Sequence, residues 1–161
     1  PLILMNAGPL QHFPAWDIHN EGTQPAVRQV TDGLDGERVA IREALGYAAP
    51  HFPLRDHYAS SGPEWMYGRA AHDSLTKSGD WREKIDLQSH RYMLEDTRLG
   101  LSFLASVAAW AGVVAPIAAG LLALARAVVG EQFDRGARTL ASLGLVDLTR
   151  EQMRELLWEG R

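Results

Sequence analysis

Leu99 to Ala125 form 27 consecutive residues without a charged side chain, and the only proline among them is Pro116. Few chains can accommodate such a run in more than a handful of ways. About 20 apolar residues suffice to cross a bilayer, so a membrane span is the first reading to weigh. Against it, the run is rich in alanine, holds three glycines and a central proline, and lacks the asymmetric basic flanks that orient a span. Proline is tolerated in the first turn of a helix and disruptive inside one. The run is therefore expected to form a long helix from near Ser89 to about Gly112, with Ser89 as N-cap, and a second helix over "PIAAGLLALARAVV". Small residues let two such helices approach closely. The expectation is a long buried helix pair, broken at Pro116, at the hub of a helical domain.

The rest of the chain agrees with an all-α fold. The first 25 residues carry four prolines among large apolar groups and read as a short apolar segment followed by ordered loop. From about Ala26 the spacing turns helical: Val27, Val30 and Leu34 lead into "LDGERVAIREALG", with Gly46 as the C-terminal stop. Positions 48–81, broken by three prolines and rich in aromatics, are expected to mix short helices with loops. Two short terminal helices are expected over "FDRGARTLASLGL" and "TREQMRELLWEG", the second opened by a Thr149–Gln152 capping box. No strand alternation is present. At 161 residues, positions 1–161 are read as a single α-helical domain with room for a real core.

A net charge of −4 and the lack of any Lys/Arg run give no electrostatic reason to bind nucleic acid or an anionic membrane. The absence of cysteine removes disulfides, thiolate chemistry and Cys-based zinc sites. The opening "PLILMNAGPL" lacks the basic flank of a signal peptide and reads as a chain cut from something larger. The sequence holds no G-x-G-x-x-G, Walker loop or nucleophile elbow. Its six histidines (His12, His19, His51, His57, His72 and His90) show no metal-ligand spacing, so no metal is expected.

Chemistry concentrates in "SHRYMLEDTRLGL", Ser89 to Leu101. On an α-helix Tyr92, Asp96, Leu99 and Phe103 share one face, which would place the Asp96 carboxylate inside an apolar stripe. A carboxylate there is costly unless paired. Histidine is a frequent partner, because an acid can fix an imidazole's tautomer and stabilise its charged form. Arg91, Glu95 and Arg98 lie on another face, where i,i+4 and i,i+3 pairs contribute a few tenths of a kcal/mol each. Arg91 and Asp96 stand about 140° apart around an α-helix. His12, set among prolines and aromatics in "NAGPLQHFPAW", has a ring whose position the backbone should fix. Tyr58, Trp65 and Tyr67 are weaker candidates for a pocket wall.

Several segments together resemble one family, the α-helical C-terminal domain of the octopine/nopaline (opine) dehydrogenases. They are "NAGPLQHFP", "LDGERVAIREALG", "HRYMLEDTRLGL", "GVVAP" and "DRGARTLASLGL", in matching order and approximate spacing across nearly the whole chain. The resemblance implies a helical domain like the C-terminal domain of 6-phosphogluconate-dehydrogenase-type enzymes. It also implies a partner Rossmann domain of the same polypeptide, absent from this chain, that holds most of the NAD(H) or NADP(H). The reaction implied is reductive condensation of an amino acid with an α-keto acid. On that analogy His12 matches the catalytic histidine, Asp96 its acidic partner and Arg91 an anchor for a substrate carboxylate, while Asn6 is carried over as a further substrate-binding residue. A cytoplasmic location goes with this reading, and a homodimer is open to it. The alternative is a non-catalytic helical interaction or dimerisation module, which would expose an apolar patch and lack a His12–Asp96 pair.

Overall fold

The computed structural model describes residues 2–57 and 79–160. Its described residues form seven α-helices, one π-helical segment and a 3-10 turn, and no strand. The helices are α1 (Leu2–Met5), α2 (Ala7–His12), α3 (Pro25–Ala44), α4 (Leu54–His57), α5 (Ser102–Ala111), α6 (Pro116–Val129) and α7 (Arg150–Glu159). No described helix is long and apolar enough to cross a membrane. The all-α expectation holds.

The uncharged run divides where the proline requires. A continuous helical stretch covers Tyr92 to Ala111, the first part π-helical and the second α5. It ends at Gly112, whose φ of 72° lets Val113 N–H reach Ala108 O and Gly112 N–H reach Ala109 O, the double bond of a Schellman stop. Pro116 then opens α6 in its first turn. One face of each partner is buried, through Ala108 and Ala111 on α5 and Ala118, Leu121, Leu122 and Ala125 on α6. The outer faces are not covered: Val114 is 84% and Leu124 57% exposed. The pair is a hub with one open side.

Helix α3 starts at Pro25 and ends at Gly46 with the same Schellman pattern, Tyr47 N–H to Arg42 O and Gly46 N–H to Glu43 O. It crosses α6 so closely that a methyl at Gly33 would stand 2.6 Å from Ile117 Cδ1. One turn along α3, the buried Glu37 accepts hydrogen bonds from the backbone N–H groups of Ile117 and Ala118. The core under these helices contains Ile3, Ile18, Met93 and Phe133, all at most 1% exposed. Burying each such side chain stabilises by about 1.5–3 kcal/mol.

Three expectations need correction. The opening apolar segment runs further than expected and is helical, α1 and α2 covering it to His12 with Pro9 in the first turn of α2, where its missing N–H is harmless, and the expected loop follows only over 13–24. "FDRGARTLASLGL" is not a helix. It holds a 3-10 turn over Glu131–Asp134 and then turns, in which Thr139 and Ser142 bond each other's backbone and Gly136 and Gly144 take positive φ. Local side-chain bonds of this kind compete with helix. Finally, Ser89 does not cap the long helix. Asp86 receives the N–H groups of Gln88 and Ser89 and the Ser89 hydroxyl instead. The "TREQMRELLWEG" helix does form, with its Thr149–Gln152 capping box complete.

Candidate functional site

Each of the four residues singled out above has a definite setting. Asn6 is buried, and its amide is spent inside the protein. Nδ2 donates to Leu2 O (3.0 Å) and Gly22 O (3.1 Å), and Oδ1 accepts from Trp16 Nε1 (2.9 Å). A methyl on Gly22 would lie 2.3 Å from Asn6 Oδ1, so the glycine is what admits the amide. With both amide hydrogens donated to carbonyls, Asn6 is a strut that ties α1 to the following loop.

His12 is the last residue of α2 and is exposed. Its ring meets Phe13 edge-on with centroids 4.7 Å apart, and Phe13 stacks on Trp16 at 5.4 Å. Trp16 in turn exchanges backbone hydrogen bonds with Glu83. The aromatic ladder fixes where the imidazole sits and leaves its nitrogens facing solvent.

Asp96 departs from the expected geometry. The residues buried along Tyr92–Leu101 are Met93, Thr97 and Leu101, not the face of Tyr92, Asp96, Leu99 and Phe103, and Asp96 is exposed. This segment is π-helical, with i→i+5 bonds, so α-helical spacing assigns its faces wrongly. Thr97 can occupy the buried face because its hydroxyl donates to Tyr92 O at 2.7 Å, satisfying a polar group that burial would otherwise penalise. No hydrogen bond or ion pair joins Asp96 to His12 among the described residues, so the expected direct contact is absent. The expected Glu95 pairs with Arg91 and Arg98 are also absent there. The i,i+4 apposition they need belongs to α geometry.

Arg91 is exposed, has no carboxylate partner among the described residues, and carries its guanidinium carbon 5.5 Å from the Tyr92 ring centroid. Around it lies a cluster that spacing did not reveal. The Tyr92 hydroxyl shares a 3.1 Å hydrogen bond with His19 Nε2. His90 packs edge-on against Tyr92 at 4.5 Å, accepts the Tyr92 N–H at Nδ1, and points Nε2 toward Glu83 at 3.9 Å. Burial pushes the Tyr92 phenol up, as do the charges of Glu83 and Asp96, while Arg91 pulls it down. Asp17 fixes the backbone of His19. Burial alone would raise the Asp17 carboxyl, but hydrogen bonds from Asn20, Trp81 and His19 outweigh it and hold it below the usual range. The adjacency of His90, Arg91 and Tyr92 in sequence was the available signal for this cluster. Its other members arrive from loops 73 and 9 positions away from Tyr92, which no periodicity connects. Tyr58, Trp65 and Tyr67 lie outside the described residues.

Among the described residues the surface thus offers a guanidinium without a carboxylate partner, the exposed Asp96 carboxylate and the exposed His12 imidazole. Such a set can hold an anionic substrate and exchange protons near neutral pH. Residues 1–129 match the family described as "NAD/NADP octopine/nopaline dehydrogenase, alpha-helical domain". The chain belongs to that family. It is also 28% identical over 152 residues to the opine dehydrogenase of Arthrobacter sp. (strain 1C), an alignment covering 91% of this chain and 40% of that relative. The chain therefore spans well under half the length of the curated relative it matches. The family is NAD/NADP-dependent, and the described residues of this octopine/nopaline dehydrogenase domain are helices and turns. They include no strand to carry a phosphate-binding turn, and the glycines inside α3 sit in continuous helix.

Proposed function

We propose that this chain is the substrate-binding and proton-transfer domain of an opine-dehydrogenase-like oxidoreductase, which reductively condenses an amino acid with an α-keto acid. NAD(H) or NADP(H) is held mainly by a Rossmann domain of the same polypeptide. The observation that carries the reading is Arg91: an exposed guanidinium with no carboxylate partner among the described residues, set over the Tyr92 ring in the R-Y-x-x-E-D stretch within the matched residues. Both substrates carry carboxylates, and an arginine fork holds one through two parallel hydrogen bonds.

His12 is the general acid/base and Asp96 its partner in this reading. Neither is committed to another polar group among the described residues, which leaves both free for that task. The two meet in the assembled, substrate-bound enzyme, since catalytic hydrogen bonds are often long or unmade before substrate arrives. His12 takes up and returns the protons that imine formation and reduction exchange, and Asp96 steadies the charged ring. In the assembled protein, His12→Ala is expected to abolish NAD(P)H oxidation that depends on amino acid and keto acid, with the circular-dichroism spectrum unchanged. Retained activity would remove His12 from the role.

The second reading, an interaction or dimerisation module, draws on the exposed Val114 and Leu124 and on Leu157 and Trp158 of α7, the last 90% exposed. That module is non-catalytic; because a catalytic helical domain can also carry an interface on such a face, turnover by the assembled protein, not the exposed face, separates the two readings.

A further inference from the structure

We infer that His19, acting through the hydroxyl of Tyr92, is a positioning residue for the carboxylate-anchoring Arg91. The inference rests on the function proposed above and adds to it a determinant of substrate affinity.

Tyr92 is held at both ends. Its backbone N–H donates to His90 Nδ1 at 3.3 Å, and its hydroxyl meets His19 Nε2 at 3.1 Å. The Arg91 guanidinium lies 5.5 Å from the centre of the ring that these bonds immobilise. A guanidinium near an aromatic ring takes its position partly from that ring, so an immobile phenol gives Arg91 a preferred direction. An arginine that must bind a carboxylate with both prongs benefits from arriving already oriented, because less side-chain freedom is lost on binding.

The hydroxyl end is itself built on a fixed support. His19 N–H donates to Asp17 Oδ1 at 3.1 Å, and the same carboxylate collects Asn20 N–H, the Asn20 amide and Trp81 N–H. Trp81 also packs edge-on against the His19 ring at 5.5 Å. The Tyr92 hydroxyl and His19 Nε2 share a single hydrogen bond whose direction follows the imidazole tautomer. The bond thus couples the loop that follows His12 to the helix start that carries Arg91, across 73 positions of sequence. Simple packing would need a ring at position 92 but no particular hydroxyl.

The test is steady-state kinetics on the assembled protein. Tyr92→Phe keeps the ring beside Arg91 and removes only the hydroxyl; His19→Ala removes its partner; His19→Gln restores a group able to donate or accept. Losing one hydrogen bond is expected to raise KM for a carboxylate substrate about 3–10-fold with kcat within about twofold. Tyr92→Phe combined with His19→Ala should be no worse than either alone, and His19→Gln should recover much of the loss. Unchanged KM in both single variants, an equal fall in kcat, additive losses in the double variant, or loss of fold in both would each overturn the inference. A wild-type protein that oxidises NAD(P)H with no pairing of amino acid and keto acid would instead overturn the underlying function. Normal wild-type turnover with an indifferent Tyr92→Phe would overturn the positioning role alone.

Discussion

The carboxylate of Glu37, midway along α3, caps a different helix: its oxygens accept the backbone N–H of Ile117 at 2.6 Å and of Ala118 at 3.0 Å. The first turn of any helix leaves N–H groups without internal partners. In α6 the preceding residue is Ala115, which has no capping side chain, and Pro116 has no N–H to offer. A buried acid from a neighbouring helix satisfies the next two donors and places negative charge at the positive end of the helix. The break in the uncharged run is therefore held at a fixed position against α3.

Glu37→Ala should destabilise the fold by about 2–4 kcal/mol, since it leaves two buried N–H groups unsatisfied. Glu37→Gln keeps one acceptor but turns an amide toward a donor, so an intermediate loss of about 1–2 kcal/mol is expected. Urea denaturation of the three proteins checks the ranking. Equal stability would show that water or a neighbour replaces the cap.

Gly22→Ala should be costly although its backbone is unstrained. The added methyl would fall 2.3 Å from Asn6 Oδ1 and 2.7 Å from Ile18 O, and a backbone oxygen cannot swing aside. Overpacking of this kind costs about 1–3 kcal/mol, with loss of the Asn6–Trp16 bond in addition. A fall in thermal midpoint together with a changed tryptophan emission would report both effects. An unaltered emission would mean that the strut survives.

Asp17 predicts a pH dependence. Its carboxyl is held below the ordinary value of 3.8 in the folded chain, so the unfolded chain binds its proton first as pH falls. The stabilisation is complete above that ordinary value and drains away as pH drops through the lower folded one. Asp17→Asn lacks this contribution. The stability gap between wild type and variant should be widest near about pH 7 and narrow at about pH 3. Denaturation curves at the two pH values that show a constant gap would contradict the assignment.

Arg91→Ala should lower kcat/KM of the assembled protein about 10–100-fold, chiefly through KM, as expected for loss of a charge-assisted bidentate contact. Arg91→Lys should fall between, because an ammonium offers a point charge rather than a fork. Product analysis with keto acids and their decarboxylated analogues would show the preference for the carboxylate disappearing with the arginine. An unaltered preference would assign the anchor elsewhere.

Much of the fold was legible because its signals are local. Pro25 and Pro116 open helices, Gly46 and Gly112 close them, and Thr149 with Gln152 caps the last one. The π-helical turn of Tyr92–Leu101 was not legible. Its sequence has apolar residues on more than one α-helical face, and the register is chosen by which of them the surrounding helices bury. Met93, Thr97 and Leu101 were chosen, which turned Asp96 outward. The site was half-readable for a related reason. Arg91 and His12 stand out in motifs, whereas His19 and Glu83 gain meaning only when loops distant in sequence close around Tyr92. The internal bonds of Asn6 were not legible either, because an amide in a motif looks the same whether it faces a ligand or a carbonyl.

Arg150 donates to Ala44 O at 2.8 Å and to Ala111 O at 3.1 Å, and so plugs the carboxyl ends of two helices at once. Both belong to the stretch matched by the family, whereas Arg150 stands beyond it. The tail is thus a latch on the family-matched part of the chain rather than an appendage. Deleting it would uncap α3 and α5 together, and loosening would start at those two carboxyl ends and travel inward.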